Sequence, residues 1–418
     1  MGENLGKFPE RDITLIRDLA KRVAEYAHQP RQEEMARIWK QHNSLKRIRP
    51  LVLIFPEGSW REVLPWESLS CSDPFCRGVE YDLRMRLYYA EFIQDDSVIT
   101  DTIASPIYIH NTGFGIAPQT TSPDDPYGAV KYEPVIREEK DLEKLQKPRL
   151  WIDWKATEEH YEKLCDLVGD ILKVEKRGPA HFWFAIIDDF ATWRGFDQLF
   201  IDMIERPQWL HRALSFLTDA WLEMLDFYER ENVLSLNNGA HYCGSGGLGF
   251  TDELPQPDFD GVHVRTKDLW GHATTQIFAC VSPAMHEEFA LQYEGKFLSR
   301  FGLASYGCCE PLHKKVEIIL KHIPHLRRLS MSPWVDVAEG AERLGKRAIF
   351  SWKPNPAPIF AAEQFDGEFV RKMVRDALEK TRDCVVEIIF KDIHTCRNQP
   401  ERLRETVRIA KEEAEKFA

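Results

Sequence analysis

At 418 residues, with 43% hydrophobic and 11% aromatic content, the chain carries enough apolar material for one large α/β domain or two medium ones. Its 67 acidic against 55 basic residues give a formal charge of −12, which disfavours attraction to nucleic acid or to an anionic membrane surface. No apolar run approaches the roughly 20 residues needed to cross a bilayer, and the opening "MGENLGKFPERD" has no signal-peptide core. Nine cysteines scattered from Cys71 to Cys396 do not form a secreted disulfide pattern, so reduced thiols and a cytoplasmic setting are expected.

In chain order, eight short apolar runs read as strands: 51–55, 105–109, 182–187, 233–237, 301–305, 326–331, 347–352 and 385–390. Helical spacing lies between most of them, as in "FDQLFIDMIERPQWLHRALSFLTDAWLEMLDFYERE" and "PERLRETVRIAKEEAEKFA". Alternation of this kind predicts a parallel sheet, and eight strands predict an α/β fold closed as a (β/α)8 TIM barrel. Residues 1–45 are expected as a helical extension and 46–418 as the barrel, with a loop-rich insertion around 112–147 centred on "APQTTSPDDPYG".

In such a barrel the residues just after each strand line the catalytic face. These are Glu57 after the first strand, His110 after the second, Asp188 and Asp189 after the third, and Asn238 and His241 after the fourth. Tyr306, Cys308, Cys309 and Glu310 follow the fifth, Trp334 and Asp336 the sixth, Lys353 the seventh, and Lys391, Asp392, His394 and Cys396 the last. Thiol, imidazole and carboxylate groups from distant parts of the chain therefore converge on one rim.

Zinc binds these three groups, and a catalytic zinc keeps an open coordination position. The expected metal ligands are Cys308, Cys309, Glu310 and His394, although no CxxC or HExxH is present. Adjacent cysteines can share an ion only where the backbone turns sharply, which Gly307 and Pro311 permit. The bland reading of "GCCE" is one buried and one exposed thiol at a strand end. Cys165 and Cys384 lie in apolar surroundings and read as packing. The glycine-rich "NNGAHYCGSGGLGF" lacks both the P-loop ending and the dinucleotide fingerprint; its glycines are expected to let backbone pass close to substrate or to a neighbouring loop. Lys353 in "WKPNP" is expected to bind a carboxylate or, in the bland reading, to be a solvated lysine at a rigid turn. Asp392 and His394, two apart in "FKDIHTC", fall on one side of an extended segment. Asp392, Lys353 and Glu57 are the candidate catalytic residues, and Asp188, His241, Tyr306 and Trp334 the candidate substrate contacts.

The segments "FDQLFIDMIERPQWLHRALSFLTDAWLEML", "VSPAMHEEFALQYEGKFLSRFGLASYGCCEPL", "LRRLSMSPWVDVAEGAERLG", "FSWKPNPAPI" and "PERLRETVRIAKEEA" occur in the order of the uroporphyrinogen decarboxylase superfamily, which the chain resembles over about 150–418 and, in outline, 45–110. The decarboxylases hold a polycarboxylate substrate with an arginine-rich stretch where this chain reads "LVLIFPEGSWREV"; Glu57 there would repel it. The cobalamin-dependent methyltransferases of the family use His-x-Cys where this chain has Gly307-Cys308-Cys309, so Cys309 matches the family cysteine and Gly307 replaces the histidine. Asp392, His394 or Cys396 stands near the family's later cysteine. The resemblance implies a zinc-assisted methyltransferase, moving a methyl group between a small methylated substrate and a corrinoid supplied by a partner protein. No corrinoid-binding segment is recognisable in the chain. The alternative is a lyase or decarboxylase acting on a small carboxylated molecule through Lys353 and Glu57, or a non-catalytic small-molecule-binding barrel. The expected partners are a small-molecule substrate, a corrinoid protein and further copies of the chain, without nucleic acid or membrane.

Overall fold

The computed structural model describes residues 8–121, 128 and 130–418. The strands that govern the site are β1 (Leu51–Ile54), β2 (Thr102–Pro106), β3 (Lys173–Arg177), β4 (Trp270–Ala273), β5 (Leu303–Tyr306), β6 (Leu326–Met331), β7 (Ile349–Trp352) and β8 (Val385–Phe390). Six form one parallel sheet in the order β1-β8-β7-β6-β5-β4, while β2 and β3 pair in parallel by themselves. Among the described residues these strands do not close into the expected ring; the structure is an α/β fold with a six-stranded parallel sheet and helices.

The departures from the sequence reading have local causes. Residues 182–187 contribute one bridge, Phe184 to Ala273, before a helix begins at Ile186, so Asp188 and Asp189 occupy a first helical turn rather than a strand end. Residues 233–237 form no strand: the Asn237 side-chain amide donates to the Trp270 and Ala180 carbonyls and accepts from the Trp270 N–H, taking the place of a ladder. At the free edge of β1, Asp96 accepts from the Val52 N–H at 2.8 Å and Asp95 from the Ile54 N–H at 3.1 Å, so two carboxylates satisfy donors that another strand would otherwise use. The expected insertion contains short antiparallel pairs, 109–111 with 150–152 and 119–121 with 131–133; residues 122–127 and 129 of it lie outside the described residues.

Register divides the sheet into two chemically distinct faces. Val52, Ile54, Phe350, Leu329, Ala304 and Ile388 pack with the helices in the main apolar core. The other face carries Glu387, Ser351, Arg328, Ser330, Ser305 and His272, all buried. It is covered by α2 (Pro30–Asn43) and by the glycine-rich loop. Trp39 donates to the Asp96 carbonyl at 2.7 Å, Asn43 donates to the Leu248 and Phe250 carbonyls and accepts from Arg328, and His42 lies 3.2 Å from Glu387. The preceding helix, α1 (Glu10–Ala27), buries Ile16, Leu19 and Val23 in a separate core with Val79, Leu83 and Leu167.

The loop's glycines are required by close approach. A Cβ at Gly247 would lie 2.5 Å from both Glu387 Oε2 and the Trp39 ring, while the Gly247 N–H donates to Glu387 at 3.0 Å. The buried Arg328 Nε sits 2.8 Å from Glu387 Oε1. Burial pushes the Glu387 carboxyl up, but Arg328 and His42 outweigh it and hold it at about 2.

Candidate functional site

The chain leaves β5 through Gly307, whose φ of +86° and nearness to Leu312 exclude a side chain; a Cβ would stand 2.3 Å from Leu312 Cδ1. The turn buries Cys308 and exposes Cys309. Glu310 then folds back, accepting from the Cys308 N–H at 2.9 Å, the Thr274 hydroxyl at 2.9 Å and the Thr275 N–H at 3.3 Å. Its carboxylate anchors the turn to the end of β4.

The two thiol sulfurs are 3.5 Å apart, and Lys391 Nζ, from the end of β8, lies 3.7 Å from Cys308 Sγ. The hydrogen bond from Cys309 and the Lys391 and Lys353 ammonium groups favour the Cys308 thiolate against burial, drawing it down to about 7. Cys309, as the donor, is pushed up. Lys353 follows β7 and is only 2% exposed; its ammonium donates to Ser330 Oγ at 2.7 Å, and Ser330 in turn donates to the Cys308 carbonyl. Among the described residues Lys353 forms no ion pair with a carboxylate, and burial lowers it to about 8. Lys391 is instead raised: burial opposes its charge, but Cys308, Asp392 and Glu57 together outweigh burial.

Asp392 lies 3.6 Å from Lys391 Nζ, and burial with the Asp392 charge raises Glu57 despite Lys391. Both acids sit at positive φ, +44° for Glu57 and +57° for Asp392. Cys308, Cys309, Lys353, Asp392 and Glu57, named from widely separated segments, are thus gathered around Lys391.

Other candidates are placed elsewhere. Tyr306 turns to the helix-covered face, donating to Glu294 at 2.7 Å with His286 Nε2 2.6 Å from the same hydroxyl. Asp188 accepts from the Gln276 and Ile277 N–H groups, and burial, with Glu310 and Asp189 nearby, raises it to about 7. Burial raises Glu294 to about 8. This buried network supports the turn from behind. Trp334 is 68% exposed; the His394 main chain accepts from Arg61 and abuts Gly58, while its imidazole acts on Glu57 through its charge, lowering that carboxyl against burial.

A cleft of about 640 Å³ opens beside β1, lined by Phe55, Trp60, Tyr89, Arg177, His241, Tyr242 and Phe250. No cysteine lines it. In its wall the Tyr242 ring centroid lies 4.5 Å from that of Phe55, and burial, with the Cys308 and Glu57 charges, raises its phenol. Among the described residues His241 Nδ1 is buried without a partner, and burial and Arg177 lower the imidazole to about 4. Sequence reasoning found His241 but missed Arg177, because "KVEKR" has no apolar run to mark it as a strand.

The arrangement does not fit the expected zinc centre. Among the described residues no three His, Cys, Asp or Glu side chains converge to hold an ion. Glu310 is committed to the turn, and ammonium groups flank Cys308 where a cation would compete with them.

No family model matches the chain, and no curated protein matches it. A solved methyltransferase from Methanosarcina mazei is similar in fold, with a TM-score of 0.51 and 11% identity over 90% of this chain and 98% of that one. The likeness is one of fold. Among the described residues no helix is long and apolar enough to cross a membrane.

Proposed function

We propose that the chain is a methyltransferase, moving a methyl group between a small methylated substrate and a corrinoid carried by a separate protein. The sequence resemblance to the uroporphyrinogen decarboxylase superfamily supports this reading, as does fold likeness to a methyltransferase. In this reading the eight strands β1 to β8 form a (β/α)8 arrangement with an incompletely paired ring, and the site lies at their carboxyl ends. The observation that carries it is the Cys308–Lys391 contact at 3.7 Å, beside Cys309, Lys353 and Glu57.

Methyl transfer breaks a bond between carbon and a heteroatom, and the departing atom needs a proton or a positive neighbour. The Lys391 ammonium supplies the positive neighbour and a proton for that step, with the Glu57 carboxyl, raised by burial and by Asp392, beside it. Lys353 holds Ser330 and through it the Cys308 main chain, fixing the thiol relative to Lys391. The corrinoid would supply the nucleophile when its carrier docks.

The test combines elemental analysis of the purified protein with a screen of methylated donors against a reduced corrinoid protein. Methyl transfer lost in Lys391→Met and Cys308→Ser, without stoichiometric zinc, is expected. Bound zinc that disappears in Cys309→Ser would return the site to a metal centre. Release of carbon dioxide from a small acid without corrinoid would overturn the reading in favour of a lyase, for which the buried Lys353, lowered to about 8, is the supporting feature.

A further inference from the structure

We propose that the cleft beside β1 binds a flat, apolar monocarboxylate of aromatic-ring size, with its carboxylate on Arg177 and His241 and its ring between the aromatic walls. The inference deepens the methyltransferase reading by giving its substrate a chemical class, and it rests on that reading only for the identity of the reaction.

Most polar groups around the cleft already have partners. Asp82 lies 2.9 Å from Arg86, whose guanidinium also donates to the Thr102 carbonyl. Asp95 accepts from the Ile54 and Ser97 N–H groups. Glu175 has Lys173 as an ion-pair partner. Each acid of the wall therefore has a charged or N–H neighbour, although Asp82 Oδ2 is buried without hydrogen-bond geometry to one among the described residues. Arg177 is different: among the described residues its side chain makes one hydrogen bond, a long 3.3 Å contact to Glu175, leaving most of its planar fork uncommitted. His241 Nδ1, in the same wall, is buried with no partner among the described residues. The unused capacity is thus a cationic fork beside a ring nitrogen able to donate, the pattern that receives a carboxylate in two parallel hydrogen bonds.

The remaining walls specify the rest of the ligand. Phe55, Trp60, Tyr89, Tyr242 and Phe250 offer ring faces and edges with little hydrogen bonding, suited to a flat apolar body. A volume of about 640 Å³ accommodates such a body with room at its far end. Tyr242 lines the cleft, and its phenol is raised by burial and in part by the Cys308 charge. The desolvated imidazole stays neutral near pH 7, so His241 adds a hydrogen bond without a second charge and Arg177 alone supplies the counter-ion.

The experiment measures binding of benzoate, benzamide and acetate to the full chain by titration calorimetry and by Trp60 fluorescence, with Trp60→Phe as the assignment control. Benzoate is expected to bind, benzamide and acetate about 10-fold more weakly or worse, and Arg177→Gln to remove the preference for benzoate over benzamide. Glu175→Gln releases the one acid touching Arg177 and is expected to strengthen benzoate binding, which keeps the test decisive even where Arg177→Gln fails to fold. Equal binding of benzoate and benzamide, or benzoate affinity unchanged in both variants, overturns the inference. Binding is read without turnover: loss of the preference leaves the methyltransferase reading standing, whereas benzoate binding without methyl transfer from any donor leaves the cleft assignment standing and removes the reaction.

Discussion

The polar face of the sheet contains buried charge in two places, handled in opposite ways. At Glu387 every charge has a close partner: Arg328 at 2.8 Å, His42 at 3.2 Å and the Gly247 N–H at 3.0 Å. At Cys308 the cations lack such matching, since Lys353 rests on serine oxygens and Lys391 on a thiol and a more distant carboxylate. The first arrangement drives Glu387 far from neutrality, to about 2; the second leaves Cys308 at about 7 and Lys353 at about 8. Paired burial fixes a protonation state and ties α2 and the glycine loop to the sheet, whereas incomplete pairing keeps groups able to exchange protons near pH 7.

The largest expected effect breaks the paired region. Glu387→Gln leaves Arg328 buried without its counter-charge and should cost about 3–5 kcal/mol, read by denaturant unfolding. A cost below about 1 kcal/mol would mean the ion pair does not tie the elements together. Gly247→Ala tests the same region sterically: the new methyl group meets Glu387 and Trp39, and a loss of about 1–3 kcal/mol is expected.

Lys391→Met sharpens the other side. Removing the ammonium should move the midpoint of Cys308 alkylation by iodoacetamide upward from about 7 by about one pH unit, with little change in stability. An unchanged midpoint in a background carrying Cys309→Ser would assign the low value to something other than Lys391.

The smallest effect concerns the network behind the turn. Asp188 is raised to about 7 and Glu294 to about 8, so between the unfolded value of about 4 and these values the folded chain binds more protons than the unfolded one. Their contribution is fully present below about pH 4 and is lost as pH rises through 7 to 8. Glu294→Gln should flatten that fall by at most about 1.4 kcal/mol per pH unit. Cys308 and Lys353 are shifted downward and act with the opposite sign above about pH 7, so unfolding should be followed from pH 5 to 10 to separate them.

Residues 326–331 and 385–390 were legible as strands with their observed bounds, because each is a short run rich in apolar side chains that the fold buries. β3, "KVEKR", and β4, "WGHA", were not, since they are short and half their side chains face a cleft or a polar interior. The strand-end rule brought Cys308, Cys309, Lys353, Asp392 and Glu57 together from sequence alone. It also named Tyr306, whose side chain lies on the helix side of the sheet, an orientation set by register within β5 that a boundary error of one residue conceals. Arg177 was missed with β3, which no apolar run marks, and nothing in its neighbours reveals which of its donors remain unused in the fold.

The left-handed backbone at Glu57 and Asp392 bears on how the protein could be improved. Glycine is the least costly residue at such positions, so Glu57→Gly and Asp392→Gly should remove local strain of about 1 kcal/mol each. A screen for heat resistance alone would therefore favour discarding two acids beside Lys391, while selection for turnover would retain them, placing a stability–activity trade-off at two identifiable codons.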